Sequence, residues 1–475
     1  MLAATMSTSL CSVPRRAVSI AACSCLWSFA VMAQDAPPAA ATTAADPIQE
    51  TAVRDTVGWL AADERRGRAS GSPELAATAQ WIADAFARAG LEQLQPGTWF
   101  HEFDLPGQLL DSGAIELKLS WRVGEDTGSI TFVADQDVRQ SLPADTLTGE
   151  EACTVVRADD PGLDRLLMLE SARRPVIVEV PEDDPAWLAA AGEHSVITRV
   201  RRAARPVFLV RQGTLATAKV SPETSWQATY KVAAAGRADV VQRNVLGVRR
   251  AAKDSQDASQ YVAVSAHYDH VGVGRAVDGD AIYNGADDDA TGTTAVLLLA
   301  EALARLPAPR RNVLFVCFAA EERGLLGSKA FCEHPPLPLD QIVADLNIEM
   351  IGRPEPGNEG KAWITGPDLS DFAAICGVAL ERAGIGLVDF RMADQLFAQS
   401  DNFSFARRGV VAHSLSAGSL HADYHQPSDE VEKLDIPHMT RIVRGLRECT
   451  LELANRAAAP QWTEAGKQRL ERARR

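Results

Sequence analysis

Two apolar runs in the middle of the chain, Tyr261 to Ala266 and Val313 to Phe318, each hand over abruptly to side chains that carry chemistry. The first is followed by His267-Tyr268-Asp269-His270 and the second by Ala319-Ala320-Glu321-Glu322. Short runs rich in β-branched residues read as buried strands. Between them lie a turn-rich acidic segment, Asn284 to Gly292, and an Ala- and Leu-rich run, Thr294 to Leu306. That run stops at Pro307 and reads as a buried helix. A strand, a helix and a second strand in this order point to an α/β sheet. In such sheets sites form beyond the carboxyl ends of the strands, so these imidazoles and carboxylates are expected to converge.

Carboxylates brought together repel, and each raises its neighbours' pKa unless a counter-charge is present. A divalent cation supplies one. Imidazole with carboxylate suits Zn²⁺, with Mn²⁺ or Co²⁺ as alternatives. Asp269, two residues after His267, is placed to accept the other ring N–H and fix its tautomer. The adjacent side chains of Glu321 and Glu322 diverge. One can therefore ligate metal while the other faces the attacking water as general base.

Five segments in this order resemble the zinc peptidase family of bacterial leucyl aminopeptidase and glutamate carboxypeptidase. They are Ser265 to His270, Asn284 to Gly292, Ala319 to Gly324, Asn347 to Arg353 and Tyr424 to Asp429. The likeness runs from about Arg243 to Asn455, and a fainter one covers Gly67 to Leu91. The resemblance implies a mixed central sheet with helices on both faces, a three-layer sandwich, and two zinc ions. One ion would take His425, Glu322 and Asp288; the other would take His267, Glu349 and Asp288. Asp288 would bridge, since it stands four residues before Gly292 as the family's bridging Asp does. Asp287 and Asp289 would be flanking acids with hydrogen-bonding roles. Glu321 would be the general base, and Tyr424 would stabilise the oxyanion.

The chain departs from the family at Glu349, where Asp is common. A Glu reaches one methylene further and still offers a carboxylate; Asp345 is the rival ligand. Asp401 matches an acidic position of the family, or is a helix-capping or solvated Asp. His413 and His421 rank behind His425. The activity implied is that of a metal-dependent exopeptidase, an aminopeptidase acting on peptides with a free amino terminus. The alternatives are a glutaminyl cyclase-like acyltransferase needing one zinc, and a non-catalytic binding module of the same fold.

Other segments set the context. Arg15-Arg16 precede the apolar run Ala17 to Met32, and Val31-Met32-Ala33 has the small residues of a cleavage site. Residues 1–33 are therefore expected to be a signal peptide and the protein to be periplasmic or secreted. Two rival export signals, a lipoprotein site at Cys23 and a twin-arginine signal, fit less well. Residues 34–46, rich in Ala, Pro and Thr, read as a linker. The catalytic domain is expected over 47–108 and 236–455, interrupted by a β-rich insertion over 109–235, with 456–475 as a basic, frayed and solvated tail; Leu387 to Met392 reads as a strand and His101 as a surface histidine. With 48 Lys and Arg against 63 Asp and Glu, the net charge of −15 argues against nucleic-acid or anionic-membrane partners. Peptides are the expected partners, and no stable membrane insertion is expected after signal cleavage; the sequence does not give the oligomeric state. The five cysteines beyond residue 33 show no metal-ligand spacing.

Overall fold

The computed structural model describes residues 46–160, 162–197, 203–218 and 221–474. The expected signal peptide, and all of the linker but Asp46, lie outside the described residues.

Asp46, the first of the described residues, accepts from the amide of Ile48 and from Arg447. Two helices follow, α1 (Glu50–Leu60) and α2 (Pro73–Ala89). The second is marked out locally by its sequence. Ser72 caps it by accepting from the Leu75 amide, Pro73 stands in its first turn, and Gly90 ends it in a left-handed conformation.

The central sheet has eight strands: β1 (Phe100–Leu105), β2 (Val240–Arg249), β3 (Tyr261–His267), β4 (Asn312–Phe318), β5 (Ile342–Ile348), β6 (Lys361–Ile364), β7 (Gly386–Leu387) and β8 (Val411–Ser416). Their order is β1-β2-β4-β3-β5-β8-β6-β7. The four central strands β4, β3, β5 and β8 run parallel, and β2 and β6 join that core antiparallel. The sheet is mixed, as expected.

Alternation along the strands feeds two cores. Val262, Val264 and Ala266 of β3 pack into one face with α1, α2, α3 (Thr291–Ala304), α5 (Phe372–Arg382) and α7 (Ile436–Asn455). Ala263, with Leu314 and Val316 of β4, faces the other side, against Phe331 of α4 (Leu326–Glu333) and Phe405 of α6 (Asn402–Arg408). Twelve of the fourteen residues of α3 are buried. This explains why its sequence is apolar all round rather than amphipathic.

Between β1 and β2 the chain builds two further four-stranded sheets. One pairs Asp126–Phe132, Glu116–Val123, Ser225–Lys231 and Thr148–Ala152; the other contains Val207–Arg211 beside Val176–Val180. Two short helices, Leu163–Glu170 and Pro185–Ala189, lie in the same segment. Among the described residues no helix is long and apolar enough to cross a membrane.

Three expectations differ from the structure. The tail is not frayed: Glu464–Arg474 forms a helix, α8, with Leu470 buried against the sheet. Trp462 ahead of it donates to the carbonyl of Gly409 and packs edge-on against Phe397. The strand expected over 387–392 shrinks to Gly386–Leu387, since Phe390 turns back to stack on Trp363. His101 is buried rather than on the surface, in contact with the carbonyl of His334 and the side chain of Asn244.

Asp345, on β5, sits in the interior and accepts from Ser265. Burial first, and then the charge of Asp401, push its pKa up to about 8. A carboxyl raised above its unfolded value contributes stability that is complete below the unfolded pKa and is lost as pH rises through the folded one. Asp345→Asn is therefore expected to melt later than wild type by a margin that widens from about pH 5 to about pH 8. Thermal melts across that range check it, and a constant margin would refute it.

Candidate metal centre

Every expected donor lies at or just beyond the carboxyl end of a central strand. His267 ends β3, Glu321 and Glu322 follow β4, Glu349 follows β5, and the loop after β8 carries Tyr424 and His425. Asp288 arrives on the segment that leads into α3. Ala320, Met350 and His425 all have positive φ, at 58°, 46° and 55°. Left-handed backbone at a non-glycine residue costs roughly 1–2 kcal/mol, so the surrounding packing imposes these turns. Gly292 answers a different need. A Cβ there would meet the Ile348 carbonyl at 2.5 Å and the Asp289 carboxylate at 2.3 Å, so only glycine lets α3 start this close to β5.

The two oxygens of Asp288 face opposite ways. Oδ1 is 3.2 Å from His267 Nε2, which is itself 3.5 Å from Glu349 Oε2. Oδ2 is 3.1 Å from His425 Nε2, which is 3.1 Å from Glu322 Oε1. Two donor groups therefore share one carboxylate, and the groupings match the two ligand sets expected from the sequence. One residue joins that was not foreseen. His270 Nδ1 is 3.0 Å from Glu322 Oε1 and 3.8 Å from Asp288 Oδ2. Its only sequence signal was its place in the quoted His-Tyr-Asp-His run, three residues after a ligand candidate.

The donor set fits a divalent cation. His270 Nδ1, Asp288 Oδ2, Glu322 Oε1 and His425 Nε2 are all buried atoms with no hydrogen-bond partner, yet they crowd one point. Electrostatics agrees. Burial opposes protonation of His267, but Glu349, Glu321 and Asp288 outweigh it and hold the imidazole well above its ordinary value. His425 is likewise pushed up to about 10, with Asp288 and Glu322 overriding burial. Burial and Asp288 would raise Glu322, but His270 and His425 bring it down to about 2. A centre that pulls this strongly on positive charge is suited to a metal ion.

Asp269 does something other than expected. The ring N–H side of His267 meets the backbone carbonyl of Asp269, at 3.0 Å, whereas the nearest Asp269 carboxylate oxygen is 4.0 Å away. That carboxylate instead accepts from Ser70 Oγ at 2.7 Å and from the Glu321 amide at 3.0 Å. It holds the backbone of the proposed base. Burial leads the causes that raise the Glu321 pKa well above its usual value, with Asp401, Glu349 and Glu322 adding to it. Tyr424, more than a third exposed, stacks on His425 with ring centroids 4.0 Å apart and lines the same pocket as Glu321.

Glu349 is braced through Oε1 by Asn347, at 2.9 Å, and by Ser400. This leaves Oε2 toward His267. The rivals go elsewhere. Asp345 joins neither donor group, and His413 is a core histidine between Ser370 and the Thr365 carbonyl, with burial taking it down to about 4. His421 meets Asp287 at 3.2 Å and Arg353 at 3.0 Å. Asp401 is neither solvated nor capping: it is buried, makes no cap bond to α6, and is pushed by burial up to about 7. Asp287 and Asp289 accept backbone amides, from Gly352 and from Gly292 and Met350.

Residues 244–450 match the profile of Peptidase family M28. A probable leucine aminopeptidase of Arthroderma benhamiae is 31% identical over 188 residues, which is 38% of this chain and 50% of that protein. Aminopeptidase YwaD of Bacillus subtilis is 23% identical over 209 residues, 40% of each chain. The chain thus spans half or less of the curated relatives it matches. Two solved structures share the fold over most of their length. A zinc aminopeptidase of Bacillus subtilis superposes with a TM-score of 0.55 at 17% identity, over 87% of this chain and 97% of that one. An aminopeptidase of Aneurinibacillus gives 0.51 at 16% identity, over 87% and 96%.

Glu321→Gln is expected to keep the metal content while turnover falls by about 10²–10⁴-fold, and Glu322→Gln to lose metal. Metal analysis with steady-state kinetics checks the pair, and the reverse pattern would mean that their roles are exchanged. Ser400→Ala, which removes one brace on Glu349, should weaken cation binding only at the position shared with His267. Equilibrium titration reads that change as a shift in one of two steps.

Proposed function

We propose that the protein is an exported two-zinc aminopeptidase that removes residues from free amino termini, a reading supported by the match of residues 244–450 to the profile of Peptidase family M28. The observation that carries this reading is the pair of donor groups sharing Asp288, with Glu321 lining the same pocket as Asp288. Zinc held by His267, Asp288, Glu349, Glu322 and His425 would supply Lewis-acid activation of water and of the scissile carbonyl.

The chain's own side chains supply the rest. Glu321, its pKa raised by burial, takes the proton of the attacking water and returns it to the leaving amine. The Tyr424 hydroxyl donates to the oxyanion as it develops. The α-ammonium of the substrate is drawn to the carboxylates of Glu321 and Glu349. Beyond them lies a cavity of about 100 Å³ bordered by Met350, Trp363, Leu396, Leu420, Thr365 and Ser416. No Lys or Arg lines it, so an aliphatic first side chain suits it better than an acidic one. Two donor groups rather than one count against the single-zinc cyclase reading, and a pocketed base counts against a non-catalytic module.

The leading test compares aminoacyl substrates with their N-acetylated counterparts on zinc-loaded protein. Hydrolysis of the free-amine series that favours Leu over Glu, and is abolished by chelation, is the expected result. Equal hydrolysis of both series, or cyclisation of amino-terminal Gln, would replace this reading. Export is tested separately, by locating the chain in cell fractions and sequencing its mature amino terminus, expected at Gln34.

A further inference from the structure

The two donor groups are unequal, and His270 makes the difference. One group has four donors: His270, Asp288, Glu322 and His425. The other has three: His267, Asp288 and Glu349. In the four-donor group the separations given above, 3.0 to 3.8 Å, bracket the edge of a zinc tetrahedron. Donors about 2.0–2.1 Å from the ion would stand roughly 3.3 Å apart.

His270 has no other partner. It is 1% exposed, and neither ring nitrogen has a hydrogen-bond partner. A buried imidazole nitrogen left unpaired is costly, and within reach of Nδ1, among the described residues, stand the carboxylates of Glu322 and Asp288. Its ring meets that of His425 edge-on, with centroids 5.4 Å apart and planes 75° apart, so both imidazoles are directed at the same carboxylates. A second observation is independent of this one. The cavity of about 100 Å³ is bordered by His267, Asp288 and Glu349 but by none of His270, Glu322 or His425. The pocket thus meets both donors that belong to the three-donor group alone, His267 and Glu349, and reaches the other group only through the shared Asp288.

We propose that His270 is a fourth protein ligand that closes one of the two cation positions, leaving the three-donor position as the one open to substrate. This rests on the two-cation reading above. A position filled by four protein donors has the coordination of a structural zinc site, and one with three has that of a catalytic site. The ion at the closed position would fix Asp288, Glu322 and His425 in place, tying the loop after β8 to those after β3 and β4. The open position would then exchange its ion and its outer ligands more readily.

The test is an equilibrium titration of the metal-free protein with Zn²⁺ against a chromophoric chelator, repeated with Co²⁺ and read by visible absorption. Two steps separated by at least about tenfold are expected, the tighter giving the intense Co²⁺ spectrum of a four-coordinate ion. His270→Ala should lower the tighter affinity by about tenfold or more, weaken that spectrum and leave the other step in place. His270→Gln, which keeps volume and polarity, is titrated in parallel, and melts of both metal-free variants establish that they fold. Two steps in wild type that both variants leave unchanged would overturn the role of His270 while the two-cation reading stands. Loss of the weaker step instead would overturn it equally. A single step in wild type would overturn the two-cation reading itself, and this inference with it.

Discussion

The structure depends on keeping a crowd of buried carboxylates from driving one another apart. Asp269, Asp287, Asp288, Asp289, Asp401 and Asp429 are all 4% exposed or less and lie around one end of the sheet. Part of the compensation is built into the chain. Arg68, fully buried, donates to the carbonyls of Leu60, Tyr268, Asn284 and Gly285. Burial lowers its pKa to about 10 while Asp269, Asp288 and Asp289 pull the other way, so it remains a cation. One guanidinium therefore fastens the end of α1 to both acidic loops and supplies permanent positive charge beneath them. Backbone amides supply more. The Asp429 carboxylate accepts from the amides of Asp287 and Asp288, and its carbonyl accepts from Ala286. The His425 loop and the Asp288 loop are thereby joined.

What remains is left to the imidazoles and to a metal. Asn347 and Ser400 take up one oxygen of Glu349, and Asp269 takes up the Glu321 amide. The support is as specific as the donors it supports. Ser400 and Asp269 each fix a functional group on another loop, while Asn347 braces Glu349 from the end of its own strand, so the donors are held by more than their own loops.

Much of this was legible in the sequence because the strands and the chemistry are adjacent. The run from Tyr261 to His267 is β-branched and apolar, and its last residue is a donor; the same holds for Asn312 to Phe318 and the two glutamates. What escaped was whatever depends on geometry between loops. Spacing alone suggested that Asp269 would use its carboxylate on His267, but the turn after β3 presents its carbonyl there instead. His270 looked like a neighbour of the motif because nothing in a sequence shows that its ring turns inward. Arg68 read only as part of a turn, with nothing to mark it as a buried cation. Between β1 and β2 the strand Ser225–Lys231 went unread although Trp226, Ala228 and Tyr230 alternate inward, because Gln, Thr and Ala dilute its apolar character. The last helix, charged along most of its length, is held by Leu470 and by Trp462 ahead of it, too few apolar positions to form a readable stripe.

One feature of the sheet bears on how such a chain tolerates so large an excursion between two of its strands. Leu105, the last residue of β1, pairs directly with Val240, the first of β2. The host sheet is thus indifferent to what joins them: its register would be the same across a tight turn. Closing a loop whose ends already lie in adjacent strands costs chain entropy that grows only slowly with length. The excursion is a long loop hung from a hairpin, and its exchange or shortening would not disturb the order of the strands beneath the metal centre. Its remaining dependence on the host is local. The helix Pro185–Ala189 packs against the strand Gly272–Val277, just past His270, and Ile197 closes over Gly71. Through contacts such as these, a change in the excursion would be felt at the rim of the site.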